Sequence, residues 1–130
     1  LDNAGYGIDQ KALKKPMDRE MIVEEIIKED NSRGVFNSLV GCLFARGVYS
    51  EDNIIDSLGA VGIVKSKDDL ESLGERIFEE KYKFKAKEGF DLSAPRIPRR
   101  FYETVSASGM VTPETVQEML RIYKKKRGWG

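Results

Sequence analysis

Cys42 is the only cysteine among 130 residues, and the chain has no histidine. A thiolate is a strong ligand for soft metals. A single cysteine also excludes an internal disulfide framework and any thiolate-only metal site built by this chain by itself. Without histidine the commonest general base is missing as well. On composition alone, a lone cysteine between Gly41 and Leu43 in an apolar stretch reads as a core residue. Upstream of it lies Asn37-Ser38-Leu39-Val40-Gly41. An asparagine offers an acceptor oxygen and an NH₂ donor. Gly41 has two readings, a close approach of backbone to a ligand or a contact between helices.

Other groups have a plainer reading. Lys124-Lys125-Lys126-Arg127 places four cations in a row, as expected at a helix C-terminus, where they complement the dipole. Lys81, Lys83, Lys85 and Lys87 interleave with Tyr82 and Phe84, but the chain has no net charge and no recognisable nucleic-acid motif. Glu75 and Arg76 fit structural ion pairs. Trp129 fits an anchor for the tail, because an indole gains from burial.

The elements that must position these residues read as helices. Asp18 is a plausible N-cap, with Met21, Ile22 and Ile26 at helical spacing to about Asp30. Asn31-Ser32 then caps a second helix, Val35 to about Arg46, whose residues Val35, Phe36, Leu39, Val40, Leu43 and Phe44 recur every three or four positions and which Gly47 ends. Ser50-Glu51-Asp52 starts a short helix through Leu58. Ser66 with Asp69 forms a capping box for a long helix through Leu70, Leu73, Ile77 and Phe84. Residues 81–87 alternate with period two, as a strand would, yet no partner strand is evident and the helix is retained. Pro95 and Pro98 bracket an extended connection. Ser106 to Gly109 reads as a loop. Thr112-Pro113-Glu114 is a strong helix start, and Gly128 the stop. The fold class is all-α, about five helices, with Leu39, Leu43, Leu73, Ile77, Met119 and Leu120 in the core. Residues 1–17 read as an irregular lead with one helical turn at Gln10–Lys15, and residues 18–130 as the helical domain.

A chain of this length can bury one core. It is 40% hydrophobic and 34% charged, a soluble balance. Its zero net charge conceals an asymmetry: residues 76–130 carry 13 basic and 7 acidic groups, so +6, and residues 1–75 carry 9 and 15, so −6. Its longest uncharged run, Gly34–Ala45, is 12 residues, short of the roughly 18–20 needed for a span. A cytoplasmic location is expected. The start at Leu1 rather than methionine suits a processed or excised piece.

Three separated blocks then carry a resemblance. Leu73-Gly74-Glu75-Arg76-Ile77-Phe78, Phe84, Lys87-Glu88-Gly89-Phe90 and Ile97-Pro98-Arg99-Arg100-Phe101 follow one another. That order resembles the C-terminal part of the tungsten-pterin aldehyde ferredoxin oxidoreductase family, where "GeRi…F…reGf…LPxRF" follows "DSLGLC". The segment Asn37–Cys42 matches the latter. Tyr123 with Arg127-Gly128-Trp129 matches the family's closing "YY..RGWD". The resemblance covers about residues 20–130, without a motif in the lead. It implies a domain that covers a tungsten bis-pterin centre in an enzyme oxidising aldehydes to carboxylic acids, with electrons passing through a [4Fe-4S] cluster to ferredoxin. Cys42 would supply that cluster's fourth thiolate, and Asn37, Val40 and Gly41 would lie at the pterin. Asn37 stands where the family has an aspartate, and Val40-Gly41 reverses the family's glycine–leucine order. Partners implied are the pterin-binding remainder of the enzyme and ferredoxin. No nucleic acid and no membrane is expected, and no catalytic residue or cofactor in the isolated chain, which should be inactive. The alternative is a free-standing helical interaction module that has lost the cofactor chemistry, with a nucleic-acid adaptor a distant third.

Overall fold

Thr112 opens the last helix as its spacing predicts, accepting the Thr115 N–H on its side chain at 3.3 Å ahead of Pro113. The computed structural model describes residues 3–15, 17–45, 47–105 and 109–129. Among these residues it has six α-helices, α1 (Asn3–Lys14), α2 (Arg19–Ser38), α3 (Glu51–Ala60), α4 (Lys67–Lys87), α5 (Arg100–Glu103) and α6 (Pro113–Arg127), with a 3₁₀ turn at Leu43–Ala45. No strand occurs among the described residues, so the all-α class holds. The expected loop at Ser106–Ser108 and the helix limit at Arg46 lie outside the described residues.

Local chemistry explains most helix starts. Asp18 caps α2, accepting the Met21 N–H at 2.8 Å. Ser50 caps α3 through the Asn53 N–H at 3.2 Å. At α4 the capping box closes both ways: the Asp69 N–H donates to Ser66 Oγ at 3.2 Å, and the Ser66 N–H donates to Asp69 Oδ2 at 2.8 Å. The Ser66 N–H, together with the Ser66 hydroxyl donating to the same Oδ2 at 2.9 Å, holds the Asp69 carboxyl below the usual carboxylate range. Residues 81–87 are helical, so the three- and four-residue periodicity outweighs the two-residue alternation.

Two local expectations fail. The lead, expected irregular beyond one turn, forms α1, with Lys11 paired to Glu25 at 2.7 Å. The expected break at Asn31-Ser32 is absent, and α2 runs through it. Asn31 is only 3% exposed. A Cβ on Gly74 would come within 2.6 Å of the Asn31 carbonyl oxygen, so α4 crosses α2 there in near contact. Gly34, next along α2, faces Ile77 and Phe78 the same way, with a Cβ reaching 3.2 Å from the Phe78 ring. Tertiary packing thus overrides an asparagine's tendency to leave a helix. Among the described residues the count is six, because α1 and the four-residue α5 add to the expected five while the first and second expected helices merge into α2.

The chain divides into two compact units, Leu1–Ile27 with Glu88–Gly130, and Lys28–Lys87. In the second unit Val35, Phe36 and Leu70 are buried. Ser32, Val35, Ile54 and Leu70 also line a cavity of about 250 Å³ between α2, α3 and α4, and Lys67 pairs with Asp52 across α3 and α4 at 2.9 Å. In the first unit Val23 is buried, and α6 is tied to α2 by Lys126–Glu24 at 2.7 Å and by an Arg19–Glu118 ion pair. Of the expected core, Leu73, Ile77, Met119 and Leu120 are half-buried. Leu39 is 45% exposed, because the helix that was to turn it inward ends one residue earlier. The side chain of Leu43 lies outside the described residues.

Candidate functional site

α2 stops at Ser38, which decides how the candidate residues are presented. The Gly41 N–H donates to the Phe36 carbonyl at 3.2 Å, and the Val40 N–H donates to the Asn37 carbonyl at 3.1 Å. This is a Schellman closure, with the left-handed position falling on Val40 at φ 57°. Positive φ is uncommon for a β-branched residue and costs free energy there. Val40 is 90% exposed.

A helix from Val35 to about Arg46, as its spacing predicts, would set Asn37 and Gly41, four residues apart, on one face with Cys42 just around from them; the structure corrects this. Asn37 is on the last turn of α2, while Gly41 and Cys42 lie beyond its end. Asn37 is exposed, and so is Cys42; the core-cysteine reading fails for this chain. The Cys42 carbonyl accepts the Ala45 N–H at 2.9 Å, starting the 3₁₀ turn. Phe44 is 97% exposed beside it, and Val48 68%. Gly41 has an immediate packing reason: a Cβ there would lie 2.4 Å from the Phe36 ring. Phe36 in turn meets Tyr49 with ring centroids 5.4 Å apart. A second cavity of about 250 Å³ opens beside this end, lined in part by Leu39, Val40, Tyr49, Ile54 and Leu58.

The donor set bears on an iron–sulfur cluster and a pterin in different ways. Cys42 presents its thiol on the surface, which fits a group that contributes one thiolate to a cluster completed elsewhere. Among the described residues no group of three or more histidine, cysteine, aspartate or glutamate side chains is placed to hold a metal ion. For a pterin the N–H groups of Val40 and Gly41 are already committed to carbonyls of α2. The exposed Asn37 amide is one polar side chain at this end, with Tyr49, Asn53 and Ser57 in the lining of the adjoining cavity.

Sequence reasoning missed the left-handed Val40. The available signal was a glycine displaced by one position from where a helix stop wants it. It also passed over Arg121, which with Lys124 and Lys125 lines a cavity beside Trp129. Trp129 itself behaves as expected, half-buried and edge-on to Tyr123 with centroids 5.8 Å apart.

Residues 3–130 match the family described as aldehyde ferredoxin oxidoreductase, domains 2 and 3. The chain belongs to that family. A tungsten-containing aldehyde ferredoxin oxidoreductase from Pyrococcus horikoshii is 32% identical over 134 residues, a match that covers 95% of this chain and 22% of that protein. The chain thus spans about a fifth of its relative's length. No solved structure matches it. Among the described residues no helix is long and apolar enough to cross a membrane.

Proposed function

We propose that this chain works as the C-terminal helical part of a tungsten-dependent aldehyde ferredoxin oxidoreductase in the cytoplasm, one that oxidises aldehydes to carboxylic acids and passes electrons through a [4Fe-4S] cluster to ferredoxin. The observation that carries the reading is the exposed Cys42 on the connector after α2, within a chain matched to the family over residues 3–130. In this reading Cys42 supplies one thiolate to the cluster, and the pterin-binding remainder of the enzyme supplies the rest. Asn37 donates or accepts a hydrogen bond at the pterin. Val40 and Gly41 shape the backbone beside it, with Val40 offering an apolar wall in place of an N–H. The cluster, when bound, provides one-electron transfer. The exposed Phe44 and Val48 on the same connector offer apolar surface that would exclude water once covered. The isolated 130 residues lack three thiolates and should be inactive.

Cys42→Ser in the full enzyme tests this. The cluster's EPR signal and its iron should be lost or altered, electron transfer to ferredoxin should fail, and the helical circular dichroism should persist. An unchanged cluster signal would remove Cys42 from the ligand set. The exposed apolar connector also favours a second reading, a free-standing interaction module. The intact mass and metal content of the native gene product separate the two: a 14.7 kDa product without metal supports the module.

A further inference from the structure

The C-terminal end of α6 builds a pocket that the oxidoreductase reading does not use. Gly128 adopts the left-handed turn at φ 68°, and the Trp129 N–H returns to the Lys124 carbonyl at 2.9 Å. That turn brings the indole back beside the last turns of the helix. Between them lies a cavity of about 570 Å³ with Leu120, Arg121, Lys124, Lys125, Trp129 and Ser93 in its lining. Gln117, Arg121, Lys125 and Gly128 complete one stripe at three- and four-residue spacing. Lys124 donates to Ser93 Oγ at 3.0 Å, which fixes the ammonium at the pocket wall.

Three cations line this cavity, and none of the described residues lining it is acidic, in a chain with as many acidic as basic groups. The helix dipole accounts for Lys124 and Lys125, but its influence fades beyond the last turn, and Arg121 lies a turn further back. Lys126, on another side of α6, behaves differently: it is held by Glu24 at 2.7 Å and Glu20 at 3.9 Å. The pocket face is therefore electropositive with an apolar, aromatic wall. A guanidinium with two ammonium groups suits a phosphate. An indole and a leucine suit a planar apolar body. The volume is in the range of pockets that take organic ligands and exceeds what a lone inorganic anion would fill.

We propose that this pocket binds a nucleoside phosphate, with the phosphate on Arg121, Lys124 and Lys125 and the base against Trp129 and Leu120. The proposal stands apart from the cofactor reading, since it uses none of residues 37–42. Trp129 is the only tryptophan in the chain, so its fluorescence reports on this site. ADP should be titrated into the 130-residue chain by calorimetry and by fluorescence, with adenosine and inorganic phosphate as separate arms. ADP should bind and perturb Trp129, and adenosine and phosphate should each bind at least about tenfold more weakly. Arg121→Gln and Lys125→Gln, both exposed, should each weaken ADP about tenfold by removing a charge-assisted contact. Raising salt to about 0.3 M should weaken it further. Absence of ADP binding at millimolar concentration, or affinity unchanged in both variants, overturns the proposal. Phosphate binding as tightly as ADP would also overturn it, since that leaves no role for the aromatic wall.

Discussion

α2 and α6 end with the same hydrogen bonds and opposite residues. At α6 the left-handed position is Gly128, followed by Trp129; the Trp129 N–H reaches back to Lys124 and the Gly128 N–H to Lys125. At α2 the left-handed position is Val40, followed by Gly41, and the corresponding bonds run from Gly41 to Phe36 and from Val40 to Asn37. The first end places glycine where positive φ needs it. The second places it one residue later, at a position where the backbone itself makes no demand for glycine.

Steric magnitudes explain the choice. A valine in the left-handed region costs about 1–2 kcal/mol. A Cβ at position 41 would lie 2.4 Å from the Phe36 ring, with a second ring carbon equally close. Phe36 is buried and packed at a tilt against Tyr49, so it cannot swing aside as the tip of a surface lysine would. Where one glycine must serve two demands, the clash with a packed ring outranks the dihedral strain. The comparison predicts its own largest effect at this point. Gly41→Ala should destabilise the chain by about 1–3 kcal/mol, the usual cost of overpacking. Denaturant unfolding followed at 222 nm would read it. A loss below about 0.5 kcal/mol would mean Phe36 yields easily, and the account of Gly41 would fall.

The same contrast sets what could be read from the sequence. α6 was legible at both ends because its signals coincide with its geometry: Thr112 caps, Pro113 follows, Gly128 stops. The starts of α3 and α4 were legible for the same reason. The end of α2 was not, because nothing about a valine announces positive φ, and Gly47 looked like the stop. Extending the helix to Arg46 carried Leu39 into the expected core and Asn37, Gly41 and Cys42 onto one helical surface. Ending it at Ser38 undoes both. Asn31-Ser32 misled in the other direction, since its capping chemistry is local and its burial against Gly74 is a long-range contact. Type and order nominate the candidate residues, while their presentation depends on one dihedral angle that neither type nor order carries.

Making the two ends alike from the other side gives a smaller effect. Gly128→Val would place at α6 the residue class that α2 tolerates. Among the described residues, no atom beyond the chain neighbours of Gly128 lies within 4 Å of a Cβ built there, so the dihedral cost dominates, about 1–2 kcal/mol. The loss would be read as a lower unfolding midpoint with an unchanged denaturant slope. A neutral result would show that this left-handed turn is readily exchanged for another closure. The Trp129 emission of the variant would then shift, because the indole is placed by that turn.

The converse exchange, Val40→Gly, isolates the strain at the candidate site. Val40 is 90% exposed, so removing its side chain sacrifices little burial. Glycine relieves the left-handed penalty but adds freedom to the unfolded chain, typically about 0.5–1 kcal/mol. The net should be a small gain in stability, about 0.5–1 kcal/mol. Thermal unfolding of the single variant measures it, and the double variant Val40→Gly with Gly128→Val sharpens it. The two sites contact different residues, so their effects should add within about 0.5 kcal/mol. A destabilised Val40→Gly would mean that valine at 40 holds the connector by packing in the cavity beside Leu39 and Tyr49 rather than enduring strain. Cys42 would then be positioned by an apolar contact, and the position of the glycine would be a consequence of that contact instead of its substitute.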